Sequence, residues 1–125
     1  MKNNKEYSGK TVLVTGAARG IGFGIARRFG EEGAHILIVD INSEQGLNAV
    51  QSLRQEGLVA DFVHADLSVP GGASNMVNNA AKVTSRIDVL VNNANAGLRV
   101  GLLDETEENW NLALNVNLTA AFFAS

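Results

Sequence analysis

The stretch TVLVTGAARGIG, residues 11–22, decides the fold. An apolar, largely β-branched run at 11–15 is typical of a buried strand, and a helical pattern of apolar residues begins near Ile21. The first turn of a helix carries unpaired N–H groups and about half a positive charge, so an anionic pyrophosphate fits there. Strand, glycine-rich turn and helix together therefore predict a phosphate-binding site.

The three glycines of this turn have different expected tasks. Gly16 allows the tight turn, Gly20 lets a ligand approach the backbone, and Gly22 lets the helix pack closely on the sheet. Their spacing is Gly-x3-Gly-x-Gly rather than the more general Gly-x-Gly-x-x-Gly. The alternative is an ordinary strand-to-helix turn.

The alternation of strand and helix continues outward from this stretch. Apolar runs predict strands over 11–15, 35–39, 58–65 and 87–91, the third being less uniformly apolar and so nearer the sheet edge. Periodic apolar residues predict helices over 21–32, 43–56 and 69–84 and from Thr106 onward. In the first two helices we expect Ile21 and Leu47 to face inward. Short connections predict a doubly wound parallel α/β sheet with helices on both faces.

Composition excludes several classes of protein. The chain has 125 residues, 46% of them hydrophobic and 18% charged, as expected for one soluble globular unit. Its net charge of −3 gives no sign of nucleic-acid binding, and no apolar run reaches the ~18 residues of a membrane span. It has no cysteine, and its polar N-terminus predicts a cytoplasmic protein. His35 and His64 have no partner at metal-ligand spacing, so we expect no metal site.

Motifs on four of these elements resemble those of the short-chain dehydrogenase/reductase family. Residues 15–22 match the family's Thr-Gly-x3-Gly-x-Gly in full. The other matching residues are Asp66-Leu67 after the third strand, Asn92-Asn93-Ala94 after the fourth, and Trp110 with Asn117 in the last helix. The resemblance covers essentially the whole chain and implies a Rossmann-type fold.

The resemblance also implies a nicotinamide dinucleotide cofactor and a set of residues that bind it. Those implied to surround the pyrophosphate and adenosine ribose are Gly16, Arg19, Gly20, Ile21 and Gly22. Asp66 would accept a hydrogen bond from the adenine amino group, next to the Leu67 N–H. The alternative is that Asp66 caps the third helix. Asn93 would tie the fourth strand to the ribose side of the cofactor.

Asp40 and Arg19 favour different cofactors. An acidic residue at the end of the second strand hydrogen-bonds the ribose hydroxyls of NAD. It would repel a 2′-phosphate ~4 Å away by several kcal/mol at an effective dielectric constant near 20. A basic residue before the second glycine, here Arg19, often accompanies NADP use in the family. Because Asp40 is short and Arg19 can swing into solvent, we favour NAD, with NADP as the alternative. A solvated strand-end carboxylate remains the other interpretation of Asp40.

Asn95 stands where the family has glycine. If that position has a positive φ, asparagine tolerates it better than most residues. Its side chain would still intrude where the backbone approaches a ligand. An alignment with a two-residue insertion would place Gly97 in that role instead.

The implied activity is hydride transfer between a nicotinamide and a small-molecule carbonyl or secondary alcohol. Asn117 would take part in catalysis because its backbone holds a water in the proton relay; the alternative is a polar helix residue that is satisfied locally. The family's Tyr-x-x-x-Lys does not occur in these 125 residues, whose one tyrosine is Tyr7.

We therefore expect a lead-in at 1–10 that is flexible and a partial dinucleotide-binding domain at 11–125. The chain would supply the cofactor-binding part of such an enzyme. The alternative is an inactive dinucleotide-binding or oligomerisation module. A third interpretation is a marginally stable fragment, in which apolar faces on the fourth strand and helix drive self-association. We expect a homo-oligomer.

Overall fold

A computed structural model describes residues 5–96 and 100–125 of the chain. Four parallel strands form one sheet: β1 (Thr11–Thr15), β2 (His35–Asp40), β3 (Val59–His64) and β4 (Val89–Val91). Their order is β3-β2-β1-β4, so the chain winds outward from β1 in both directions. The predicted doubly wound parallel sheet is confirmed, and the third strand does lie at an edge.

Helices follow each strand. They are α1 (Gly20–Glu31), α2 (Ser43–Gln55), α3 (Gly72–Thr84), α4 (Glu107–Leu114), a π-helical segment (Asn115–Thr119) and α5 (Ala120–Ala124). The last three are continuous, because Leu114, Asn115 and Ala120 all keep right-handed helical backbone angles. The predicted fourth helix is thus present, with a π-helical turn in its middle.

The core has two sides because successive residues of β1 and β2 point to opposite faces of the sheet. Val12, Val14 and Ile36 pack on the side of α1 and α2. Leu13 and Leu37 pack on the side of α3. All of these side chains have no solvent exposure, as two-sided coverage by helices requires.

Two apolar residues expected to face inward do not. Ile21 is 79% exposed and Leu47 is 54% exposed. The buried face of α1 is instead the small-residue stripe Gly22, Ala26 and Gly30, and next to Leu47 the buried residue is Gly46. Gly22 packs closely against the Gly16 carbonyl and Gly46 against the Phe62 ring, and the large side chain beside each glycine points outward.

Residues 5–10 contact the end of α1. The Tyr7 N–H donates to the Glu32 carbonyl at 2.9 Å, and the Tyr7 ring meets the edge of Phe29 with ring centres 4.9 Å apart. The proposed division into a flexible lead-in and a partial domain stays a prediction. Residues 1–4 of that lead-in, and Gly97, lie outside the described residues.

Candidate cofactor site

A cleft of about 520 Å³ opens at the carboxyl ends of the strands. Ligands of doubly wound sheets bind where the strand order reverses, which here is between β1 and β4. The cleft is lined at that point by Gly16 and Arg19 from the β1–α1 turn and by Ala94, Asn95 and Ala96 after β4. Asp40, Asp66 and Leu67 line the part that extends over β2 and β3.

The glycine turn between β1 and α1 has the geometry that its spacing predicts. Gly16 and Gly20 have φ values of +63° and +61°, a region that residues with a side chain rarely adopt. A Cβ on Gly16 would lie 2.9 Å from the Ala94 Cα, and one on Gly22 would overlap the Gly16 carbonyl oxygen. The side chain of Arg19, the residue before α1, makes no capping hydrogen bond. The turn therefore presents uncapped backbone beside the cleft.

Asp40 is fixed at the edge of the cleft by two backbone donors. Its Oδ2 accepts from the Ala18 N–H at 3.2 Å, and its Oδ1 accepts from the Asn42 N–H at 3.0 Å. The exposed Arg19 has no ion pair or side-chain hydrogen bond with any residue that the structure describes. A fixed carboxylate and an unattached cation thus share this part of the site.

Asp66 lies in the turn before α3 and does not cap that helix. Its Oδ1 accepts from the Ser68 N–H at 2.9 Å and from the Ser68 hydroxyl at 2.5 Å, whereas α3 begins six residues on, after Gly71. The hydroxyl first, and then the N–H, lower the pKa of Asp66 below its usual value. A charged acceptor is therefore held beside Leu67 in the cleft.

Asn93 joins β4 to the glycine turn. Its Nδ2 donates to the carbonyls of Thr15 and Gly16 at 3.1 and 3.2 Å. In return the Thr15 Oγ1 accepts from the N–H groups of Asn93 and Ala94 at 3.0 and 2.9 Å. The Asn93 amide thus bonds the turn, while the three residues after it line the cleft, so its contact with a cofactor stays a prediction.

Asn117 lies in the π-helical segment and binds the loop after β4. Its Oδ1 accepts from the Ala96 N–H at 2.9 Å, and its Nδ2 donates to the Ala96 carbonyl at 3.1 Å. Nearby, Asn115 donates to the Ser68 carbonyl at 3.3 Å. π-Helical turns are often found at functional sites. The segment thus connects the last helix to two of the loops that line the cleft, the one after β3 and the one after β4.

Thr15 is the first residue of the matched motif, but no role in the site was predicted for it from the sequence. It is 1% exposed, and its hydroxyl also donates to the Val91 carbonyl at 3.4 Å. A buried hydroxyl at the end of an apolar strand needs partners, which was the available signal. That signal does not name the partners, because they lie 76 to 79 residues away.

Residues 5–96 and 100–125 contain neither a metal-binding cluster nor a membrane-spanning helix. No three side chains of the types that bind metal ions come together there. Nor is any helix in that part of the chain both long and apolar enough to cross a membrane.

Comparisons with known proteins agree with this geometry. The family model of the short chain dehydrogenases matches residues 10–125. An uncharacterized oxidoreductase of Thermotoga maritima is 35% identical over 117 residues, which are 94% of this chain and 46% of that protein. The 5-keto-D-gluconate 5-reductase of Escherichia coli K12 is 39% identical over 118 residues, which are again 94% of this chain and 46% of that protein.

A solved structure shows the same likeness. A metagenomic short-chain oxidoreductase in complex with NADP superposes with a TM-score of 0.88 at 32% identity, over 94% of this chain and 54% of that one. The chain belongs to the short-chain dehydrogenase family. It spans about half the length of the curated relatives it matches.

Proposed function

We propose that the cleft binds a nicotinamide dinucleotide and that the chain is the cofactor-binding part of a short-chain dehydrogenase/reductase. The observation that carries this proposal is the glycine turn, which brings uncapped backbone at the start of α1 to the cleft. Gly16, Arg19, Gly20, Ile21 and Gly22 would surround the pyrophosphate.

The other cofactor contacts would come from the ends of β2, β3 and β4. Asp40 would accept from the adenosine ribose and Asp66 from the adenine amino group, next to the Leu67 N–H. Asn93, after β4, would contact the ribose side of the cofactor. The NADP-bound structural neighbour supports this class of ligand, and that protein itself is known to hold NADP.

For this chain we propose NAD in preference to NADP. Asp40 accepts two backbone N–H groups, so it cannot leave the cleft as a free side chain could. A 2′-phosphate beside it would meet a fixed like charge. Arg19 has room to pair with such a phosphate, and NADP is therefore the alternative.

The proposed reaction is hydride transfer between the nicotinamide and a carbonyl or secondary alcohol; the cofactor supplies the redox chemistry. The residues of this chain bind and orient the cofactor. Asn117 would contribute through the π-helical turn, whose backbone would hold a water for proton transfer. Its side chain meanwhile fixes the loop at Ala96.

A second candidate is a dinucleotide-binding or oligomerisation module without turnover. One observation favours it: Tyr7, the chain's only tyrosine, packs on Phe29 at the far end of α1 and does not line the cleft. Turnover of carbonyls and alcohols with NAD(H) by the 125-residue chain would contradict this candidate. A homo-oligomer and a cytoplasmic location also stay predictions.

The test is a titration of the chain with NADH and NADPH, followed by fluorescence. We expect NADH to bind about tenfold more tightly, which allows for solvent screening of the Asp40 charge. Asp40→Ala should reduce that ratio toward one. Glu56→Gln, which removes a surface carboxylate paired with Arg27, is the matched control and should keep the ratio. Binding of neither nucleotide would overturn the proposal.

A further inference from the structure

Asn95 differs from the other asparagines at the carboxyl edge of the sheet. The amides of Asn93, Asn115 and Asn117 all bond backbone groups. Asn95 is exposed and lines the cleft, and its side chain has no hydrogen-bond partner among residues 5–96 and 100–125. Within that part of the chain its carboxamide holds no element of the fold in place.

The backbone on both sides of Asn95 is fixed. The Ala94 N–H donates to the Thr15 Oγ1 at 2.9 Å, and both backbone polar groups of Ala96 bond the Asn117 amide. Asn95 itself does not have a positive φ. Because these hydrogen bonds hold the backbone of Ala94 and Ala96 in place, a ligand in this part of the cleft contacts the Asn95 side chain.

The sheet order determines which half of a dinucleotide that would be. The Asp40 and Asp66 carboxylates lie at the ends of β2 and β3, the glycine turn follows β1, and Asn95 follows β4. With the pyrophosphate at the turn and adenosine over β2 and β3, the second ribose and the nicotinamide lie at the β4 end. This placement rests on the proposed function.

We propose that Asn95 is a ligand-binding residue that recognises the second ribose of the dinucleotide. A carboxamide has two donor hydrogens and one acceptor oxygen, and a ribose diol offers both complementary functions. A ligand that covers the amide without offering it a hydrogen-bonding group would remove the amide's hydrogen bonds to water, and this loss disfavours binding. A ligand that supplies hydroxyls at this point is thus selected.

The experiment compares NADH with ADP, which carries the adenosine and pyrophosphate but lacks the second ribose. Asn95→Ala should raise the Kd of NADH about five- to tenfold, as expected for one lost hydrogen bond, and leave the Kd of ADP unchanged. Asn92→Ala is the matched control: Asn92 is exposed in the same loop, does not line the cleft, and should change neither constant.

Each result has a distinct meaning. An unchanged or lower Kd of NADH in Asn95→Ala would overturn the role of Asn95 while leaving the proposed function in place. Equal weakening of NADH and ADP would show loss of structure and would also overturn it. If the folded wild-type chain, checked by circular dichroism, binds neither ligand, the proposed function itself fails.

Discussion

Thr15 shows how one hydroxyl can hold a site together. It lies at the last position of β1, is buried, and accepts two N–H groups from the loop after β4. The strand pairing of β4 ends at Val91, so this hydroxyl continues the connection where the backbone ladder stops. The glycine turn and the Ala94–Ala96 wall of the cleft are thereby fixed relative to each other.

Thr15→Val should lower the free energy of unfolding by about 2 kcal/mol, because two partly buried N–H groups lose their acceptor while the side-chain shape is kept. Urea denaturation followed by circular dichroism measures this change. Thr15→Ser retains the hydroxyl and should remain within about 1 kcal/mol of the wild type. An equal decrease in the free energy of unfolding in the two variants would show that the hydroxyl contributes little to stability.

Gly46 lowers the helix propensity of α2, and contact with Phe62 explains why glycine stands there. A Cβ at Gly46 would overlap the Phe62 ring. Gly46→Ala should therefore destabilise the chain by about 1–3 kcal/mol from overpacking, although helix propensity alone favours alanine by about 1 kcal/mol. Gly24 in α1 is the control, because a Cβ there meets nothing within 4 Å. Urea denaturation measures both changes, and Gly24→Ala should stabilise the chain. Stabilisation by both variants would contradict this account of Gly46.

Among the elements, the central strands were the most predictable. The predicted bounds of β1 match the structure and those of β2 differ by one residue, because strands buried on both faces are almost wholly apolar. The helix over 69–84 begins only at Gly72, since Pro70 and Gly71, at φ +78°, form the turn before it. Such local effects remain accessible to sequence analysis, with errors of a few residues.

The contacts that shape the cleft were less predictable. The π-helical segment was not predicted, and Asn117 bonds Ala96, which is 21 residues away. Nothing in the local apolar pattern indicates this pairing. The inward orientation of Ile21 and Leu47 was wrong for a related reason, because the close packing of a neighbouring glycine decides which face of a helix is buried.

The amino ends of β1 and β4 are joined by Asp88. Its Oδ2 accepts from the Thr11 N–H at 2.8 Å, and its other oxygen pairs with Arg86. The Arg86 guanidinium first, and then the Thr11 N–H, lower the pKa of Asp88 below its usual value. The folded chain therefore favours charged Asp88 more than the unfolded chain does.

This shift gives a pH-dependent stability of predictable sign. The contribution of Asp88 is complete above its unfolded-state pKa of about 3.9 and is lost as the pH falls through the lower folded-state value. Asp88→Asn should thus lose less stability than the wild type between about pH 7 and pH 3, as measured by urea midpoints. Equal losses in both proteins would exclude a role for this carboxylate in acid stability.

At the scale of the whole molecule, the two ends of the parallel strands contribute differently. The edge formed by their amino ends stabilises the fold, and the edge formed by their carboxyl ends lines the cleft. The amino edge carries side-chain contacts within the fold, such as Asp88 with Thr11 and His35 with Asp61 at 2.7 Å. The carboxyl edge carries the glycine turn, Asp40 and Asp66, with hydrogen-bonding capacity facing a cleft. Parallel strands impose this division, because their carboxyl ends all meet at one edge.

The helical run after β4 leaves a large apolar surface in contact with water. Leu118, Phe122 and Phe123 are 62%, 74% and 64% exposed, and within the described residues β4 pairs only with β1. Contiguous exposed apolar surface and an open strand edge favour association. The 125-residue chain should therefore form oligomers whose size increases with concentration in sedimentation velocity. The double variant Phe122→Ser/Phe123→Ser should shift it toward monomer, whereas Leu47→Ser, at an isolated exposed leucine, should not. A wild-type chain that stays monomeric as its concentration rises would show that this surface does not drive association.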